Sequence, residues 1–191
     1  MVPPLNTLAL WRLRPVTLAD EPLLRRVHAC TRQAELDASD WSETQREQFL
    51  DLQFRTQRAH DEAGNPGAEH AVIEVADDQA GVWSAAGRLW LQRRPDALHV
   101  QDIALLPACR GRGLGTRVLA SVMQRAAASG RMVSIYALQG NAVRRLYERL
   151  GFVPVGPLSG EHQRMAWHGG PAAPAREPRP DLGMGAARLQ P

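Results

Sequence analysis

The stretch Gln101-Asp-Ile-Ala-Leu-Leu-Pro-Ala-Cys-Arg110-Gly-Arg-Gly-Leu-Gly115-Thr116 constrains this chain more than any other, because it reads as a strand running through a glycine-rich turn into a helix. Gly111, Gly113 and Gly115 remove the Cβ atoms that would keep a bulky anion away from the backbone. The first turn of the following helix points unpaired N–H groups outward at the positive end of its dipole, where phosphate oxygens fit. Arg110 and Arg112 either add local positive charge or face water. Two other phosphate-binding designs do not match. A P-loop needs Gly-Lys-Ser/Thr, and the chain contains no lysine. A dinucleotide-binding fingerprint needs Gly-x-Gly-x-x-Gly after the first strand of its domain, whereas this turn follows several strands and reads Gly-Arg-Gly-Leu-Gly.

Around this stretch the apolar period alternates between that of strands and that of helices. Trp11 to Val16 reads as an opening strand, and Thr17-Leu-Ala-Asp20 starts a helix carrying Leu23, Leu24, Val27 and His28 at helical spacing. A second helix is expected from Ser42 to about Ala63, ended by Gly64-Asn-Pro-Gly67. Three antiparallel strands follow at 71–76, 87–92 and 98–106. After the glycine turn come a helix at 113–128 stopped by Gly130, a strand at 132–138, a helix at 141–150, and short strands near 152–155 and 162–167. From Gly169 onward Pro, Gly, Ala and Arg dominate without any period, so residues 169–191 are expected to form a disordered tail behind one domain spanning 1–168.

Two motifs in this order resemble a known family. Arg110-x-x-Gly113-x-Gly115 is similar to the Gln/Arg-x-x-Gly-x-Gly/Ala pyrophosphate motif of the GNAT N-acetyltransferases. Asn141-Ala-Val-Arg-Arg-Leu-Tyr147-Glu-Arg-Leu-Gly151-Phe152 resembles that family's helix motif, which opens on Asn and ends in Tyr-x-x-x-Gly-Phe. The resemblance is strongest over 98–156 and extends by element order from 10 to 168. It implies an α/β fold of the α+β type, with a mixed, mostly antiparallel central sheet that splays open between strands 98–106 and 132–138 and is flanked by helices. It also implies acetyl-CoA as acyl donor, its pantetheine arm paired with the backbone of Ile103, Ala104 and Leu105. The N–H groups of Arg110, Gly111, Arg112, Gly113, Leu114, Gly115 and Thr116 would then hold the pyrophosphate. Apolar side chains at 103–105 are equally well explained as core.

Acetyl transfer to an amine needs a neutral nucleophile, support for the developing oxyanion and a proton for the departing thiolate. Tyr147 shares a helical face with Val143, Leu146 and Leu150 and reads as a core tyrosine; the resemblance assigns the tyrosine at its position to the general acid. Asn141 is an ordinary N-cap and, through the resemblance, a pantetheine contact. Asp102 is an acidic residue in an apolar strand, on the face expected to include Val100, Ala104 and Leu106. A buried carboxylate there serves as a general base, direct or through water, or as half of an ion pair; Tyr136 and Glu74 are weaker alternatives. Cys109 precedes the phosphate loop, where arginines and helix N–H groups favour a lowered thiol, but direct transfer needs no acyl-cysteine and its position reads as incidental.

Composition excludes several other classes. The net charge is only +3 and all 23 basic residues are arginine, with no basic run interleaved with aromatics, so no nucleic-acid partner is expected. No apolar run reaches a membrane span, and the first residues lack a signal-peptide pattern, so a cytoplasmic location and no membrane partner are expected. Cys30, Cys109 and the histidines at 28, 60, 70, 99, 162 and 168 show no metal-ligand spacing, and no metal is assigned. The acceptor is a primary amine on a small molecule or a protein, expected to sit among the first two helices, residues 33–45 and the last two strands. Glu35, Asp37, Asp40 and Glu43 either attract a cationic acceptor or form an exposed loop. The competing class is a non-catalytic acyl-CoA-binding module of the same fold. Homodimers are common among such proteins, but no apolar stripe in the sequence marks an interface.

Overall fold

The computed structural model describes residues 10–64, 67–76, 82–141 and 143–169. The segment read as a disordered tail lies outside the described residues from position 170 onward. In chain order the elements are β1 (Trp11–Pro15), α1 (Glu21–Thr31), α2 (Gln33–Asp37), α3 (Glu43–Gly64), β2 (Glu69–Ala76), β3 (Trp83–Arg93), β4 (Ala97–Leu105), α4 (Leu114–Ala128), β5 (Met132–Leu138), α5 (Val143–Arg149), β6 (Val153–Pro154) and β7 (His162–Trp167).

Asp20 fixes the passage from β1 into α1. Its carboxylate accepts the Thr17 N–H (2.8 Å) and hydroxyl (2.9 Å), and Arg14 grips it through both terminal nitrogens at 2.7 and 2.6 Å. Helix α2 lies where the sequence showed only a connection. Its five residues are too few to display a period, and side-chain bridges from Arg32 to Glu35 (2.6 Å) and from Gln33 to Asp37 (2.8 Å) hold its turn. Strand β3 begins four residues before the expected Gly87, because Trp83-Ser-Ala-Ala86 carries little strand signature of its own. Helix α4 buries Leu114, Val118, Leu119, Val122 and Ala126. At about 1.5–3 kcal/mol for each large aliphatic taken from water, this stripe outweighs the few tenths that separate helix propensities.

The strands form one seven-stranded sheet in the order β1-β2-β3-β4-β5-β7-β6. Every neighbouring pair is antiparallel except β4 and β5. That parallel ladder is short, running only from Ala97↔Met132 to Val100↔Ile135. Beyond it β4 continues to Leu105 with no strand along that edge among the described residues, so the sheet splays between β4 and β5.

A bulge sets which way β4 faces. Trp90 of β3 lies opposite Asp102 and Leu91 lies opposite Val100, which leaves Gln101 as the extra residue. Val100 and Ile103 therefore share a face with Leu89 and Leu91, while His99, Asp102 and Ala104 share the other face with Arg88 and Trp90. Strict alternation had put Val100 beside Asp102; the inserted residue resets the phase and moves it to the opposite face. Next to the splayed edge, Gly87 of β3 is required by close approach. A Cβ at 87 would lie 2.2 Å from the carbonyl oxygen of Ala104.

Candidate functional site

The loop after β4 is built to expose backbone donors. Gly111 and Gly113 adopt φ of +72° and +76°, a left-handed conformation that side-chain-bearing residues rarely take, and a Cβ at either would project into open space. Gly113 caps α4. Among the described residues, no backbone carbonyl accepts a bond from the N–H groups of Gly111 through Thr116; the first such bond at the helix start is from Arg117 to Gly113 (3.0 Å). The run of N–H groups thus spans an exposed turn, 111–113, and the first turn of a helix. Arg110, a candidate for local positive charge, is turned inward. Its Nε donates to the carbonyl of Leu105 (2.8 Å) and a terminal nitrogen to that of Cys30 (3.3 Å), tying the loop to the end of β4 and to α1. Arg112 is exposed. Gly115 departs from the expectation for the three glycines: a Cβ there would meet Leu105 at 3.7 Å rather than open space, so its missing side chain is not what would admit an anion.

Several polar groups of β4, β5 and α5 are buried in the core. Asp102 is 2% exposed and accepts the Nε of Arg88 at 2.5 Å, so of the two roles open to it the structure displays the ion pair. Tyr147 is completely buried, and its hydroxyl has no hydrogen-bond partner among the described residues. Burial pushes this phenol well above its ordinary value, and the negative charge of Asp102 pushes it further in the same direction. The bulged Gln101 is 3% exposed with its Oε1 unpartnered. Where the parallel ladder nears its end, His99 Nδ1 and Ser134 Oγ lie 2.9 Å apart across the two strands, and the ring of Tyr136 meets His99 edge-on at 5.6 Å. Gln101, Arg88 and the His99–Ser134 pair were not singled out in the sequence. The only signal for the first was two polar residues side by side where strand alternation allows one.

The remaining candidates are separated from this group or committed elsewhere. Asn141 accepts the Val143 N–H on its Oδ1 (3.0 Å), so it caps α5 as expected. Glu74 is held between Arg12 (2.7 Å) and Arg14 (2.8 Å). Burial alone would raise that carboxyl, but the two arginine bonds outweigh it and hold it below its ordinary value, as an ion-pair partner rather than a base. The Cys109 thiol is fully buried and pushed up by that burial, with the nearby Arg112 pulling down less; the lowered thiol that the loop's charges suggested is not found. Glu35 and Asp37 are bound within α2 and form no acidic pocket.

A cavity of about 90 Å³ opens on the Arg88 face, walled by Leu24 of α1, Phe54, Gln57 and Arg58 of α3, His70 of β2, and Arg88 and Trp90 of β3. Neither the 33–45 connection nor the last two strands line it. Among the described residues no cluster of His, Cys, Asp and Glu is arranged to hold a metal, and no helix is long and apolar enough to cross a membrane.

Comparison with known proteins places this geometry. The acetyltransferase (GNAT) family profile matches residues 31–152, more than half of the chain. A curated relative, glucosamine 6-phosphate N-acetyltransferase 1 of Oryza sativa subsp. japonica, is 34% identical over 95 residues, covering 46% of this chain and 55% of that protein. The chain thus spans about half the length of the curated relative it matches. Similar solved structures include a domain from Methanocaldococcus jannaschii (TM-score 0.60, 13% identity, 83% of this chain and 98% of that one). The ribosomal-protein-S18-alanine N-acetyltransferase of Escherichia coli (0.56, 16%, 86% and 97%) is another. A third is the PaiA N-acetyltransferase of Thermoplasma acidophilum in complex with coenzyme A (0.55, 16%, 82% and 97%). At these identities the structures speak for the fold, and with the profile match they establish that this chain belongs to the GNAT acetyltransferase family.

Proposed function

We propose that the protein is an acetyl-CoA-dependent N-acetyltransferase that passes the acetyl group directly to a primary amine. The observation that carries this reading is the unpartnered run of N–H groups from Gly111 to Thr116, set at the end of a strand whose outer edge is itself unpaired. A diphosphate suits the first and an extended amide-bearing arm suits the second. Ile103, Ala104 and Leu105 would offer that edge, and Asn141, at the head of α5, would contact the same arm. Acetyl-CoA supplies the acyl group. A new C–N bond forms as the C–S bond breaks, so one proton must leave the amine and one must reach the sulfur. Tyr147 is fitted to the second task, since its hydroxyl is protonated, buried and free of protein partners. We assign receipt of the amine's proton, directly or through water, to Asp102, whose charge acts on Tyr147 and whose ion pair with Arg88 would have to yield for it to act. The curated relative is named for an amino sugar phosphate, which makes amines that carry an anion reasonable first acceptors.

Calorimetric titration with acetyl-CoA tests the donor site, in the native protein and in Gly113→Asp. Aspartate tolerates the left-handed backbone better than most residues, so the fold should survive while its carboxylate repels a diphosphate. Micromolar binding lost in the variant supports the reading, and no binding to the native protein ends it. Binding without turnover of any amine would identify a non-catalytic acyl-CoA module instead.

A further inference from the structure

We propose that the cavity beside Arg88 holds a carboxylate of the acceptor, so that the substrate is an amino acid with its amine several bonds from its acid group rather than a polyamine. The inference rests on the acetyltransferase reading and extends it to the substrate class. Arg88 divides its guanidinium between two surroundings. Its Nε is taken by Asp102 at 2.5 Å, and its two terminal nitrogens have no protein partner among the described residues, although the side chain is only 13% exposed. These two nitrogens form the planar fork that matches a carboxylate bidentately. Arg88 also lines the cavity, together with Gln57, His70 and Arg58, the last paired with Glu21 at 3.3 Å; no aspartate or glutamate is among the lining residues. A second ammonium group would find no acceptor on the Arg88 fork, whereas a carboxylate accepts from both of its terminal nitrogens. Phe54, Leu24 and Trp90 supply apolar walls suited to a short methylene chain.

Geometry sets the length of that chain. Asp102 lies directly across one strand spacing, about 5 Å, from Trp90 in the cavity wall, and the splayed edge is on the far side of β4. An acceptor anchored on Arg88 therefore needs an amine on the order of 5–8 Å from its carboxylate to reach the gap, given that same spacing. The amine of 5-aminopentanoate reaches that far; the amine of glycine does not.

The test compares 5-aminopentanoate with pentylamine, 1,5-diaminopentane, glycine and 5-aminopentyl phosphate as acceptors. A parallel titration with pentanoate, which has no amine, follows the Trp90 indole N–H by NMR after assignment with Trp90→Phe. We expect kcat/KM for 5-aminopentanoate to exceed that for pentylamine at least tenfold, and pentanoate to shift the Trp90 signal. Arg88→Lys keeps a charge that serves either Asp102 or the ligand but not both, and Leu24→Trp fills the cavity without touching Asp102. Both should raise KM for 5-aminopentanoate at least tenfold, while the acetyl-CoA affinity of Leu24→Trp stays native. Equal use of pentylamine, preference for the diamine, or an unmoved Trp90 signal overturns the proposal. Preference for 5-aminopentyl phosphate overturns the carboxylate assignment in favour of a phosphoryl group. Failure of acetyl-CoA to bind would end the acetyltransferase reading, and the pentanoate titration would still decide whether the cavity is an anion site.

Discussion

Gly87→Ala tests whether the end of β4 is placed by its contact with β3. The added methyl carbon would lie 2.2 Å from the Ala104 carbonyl oxygen, 2.9 Å from Leu105 Cδ2 and 3.0 Å from Leu105 Cα. A relaxed non-bonded contact needs about 3.5 Å, so the strand must retreat by roughly 1 Å. Two of the three atoms belong to the backbone, which leaves little for a rotamer change to absorb. The retreat is toward β5, where no ladder resists beyond Val100. Overpacking of this kind costs about 1–3 kcal/mol. For a chain of this size each kcal/mol lowers Tm by about 2–4 °C, giving a fall of roughly 2–12 °C. The same movement narrows the gap proposed for the acyl donor, and a misplacement of about 1 Å is enough to weaken function up to a hundredfold. Thermal unfolding together with acetyl-CoA calorimetry reads both effects, with at least a tenfold rise in Kd expected. Gly115→Ala is the control: its methyl meets Leu105 Cδ1 at an ordinary 3.7 Å and sits inside α4. It should keep native affinity and gain about 0.5–1 kcal/mol. Native Tm and native affinity in Gly87→Ala would refute the reasoning, because the strand end would then be fixed by something other than this contact.

Tyr147→Phe removes a buried hydroxyl that has no partner, so stability in urea should hold or rise by about 1 kcal/mol while kcat falls by about 10²–10⁴; a parallel loss of both would mark Tyr147 as structural. Asp102→Asn removes the charge that raises Tyr147, so the phenolate absorbance of that residue, one of only two tyrosines in the chain, should appear at lower pH than in the native protein. An unchanged titration would separate the two groups. Arg14 holds both Asp20 and Glu74 below their ordinary carboxyl values. Depressed carboxyl groups stabilise the fold above about pH 4 and lose that contribution as pH falls through their native values. Arg14→Met should therefore cost about 2–4 kcal/mol at neutral pH and flatten the loss of stability in acid; an acid limb as steep as native would place the dependence elsewhere.

The sequence disclosed the parts whose physics is local. A glycine turn at a helix start, the apolar stripe from Val118 to Ala126 and the strand at 132–138 each follow from neighbours in the chain, and the structure contains them. Asn141 could be read as a cap because capping is local too. Gly87 was read as the start of a strand; that it lies inside β3, with the Ala104 carbonyl close against it, became visible only in the structure. The bulge at Gln101 was hidden because one inserted residue shifts the phase without changing composition, and Asp102 was grouped with Val100 as a result. Arg88 was illegible for another reason. Nothing within several residues of it distinguishes a surface arginine from one that joins Asp102 to a cavity roofed by helices from another part of the chain.

The four-pair ladder between β4 and β5 is the only backbone seam joining a four-strand leaf to a three-strand leaf among the described residues. Anything seated in the opening adds contacts across the seam that the empty protein lacks, and so couples occupancy to the cohesion of the whole sheet. A ligand at a hundred times its Kd adds about 2.7 kcal/mol, comparable to burying one or two large aliphatic side chains in a domain of marginal stability. With the proposed acyl donor in that opening, protease lifetime becomes a readout of donor supply: the chain should be cleaved faster when the donor is scarce and persist when it is abundant.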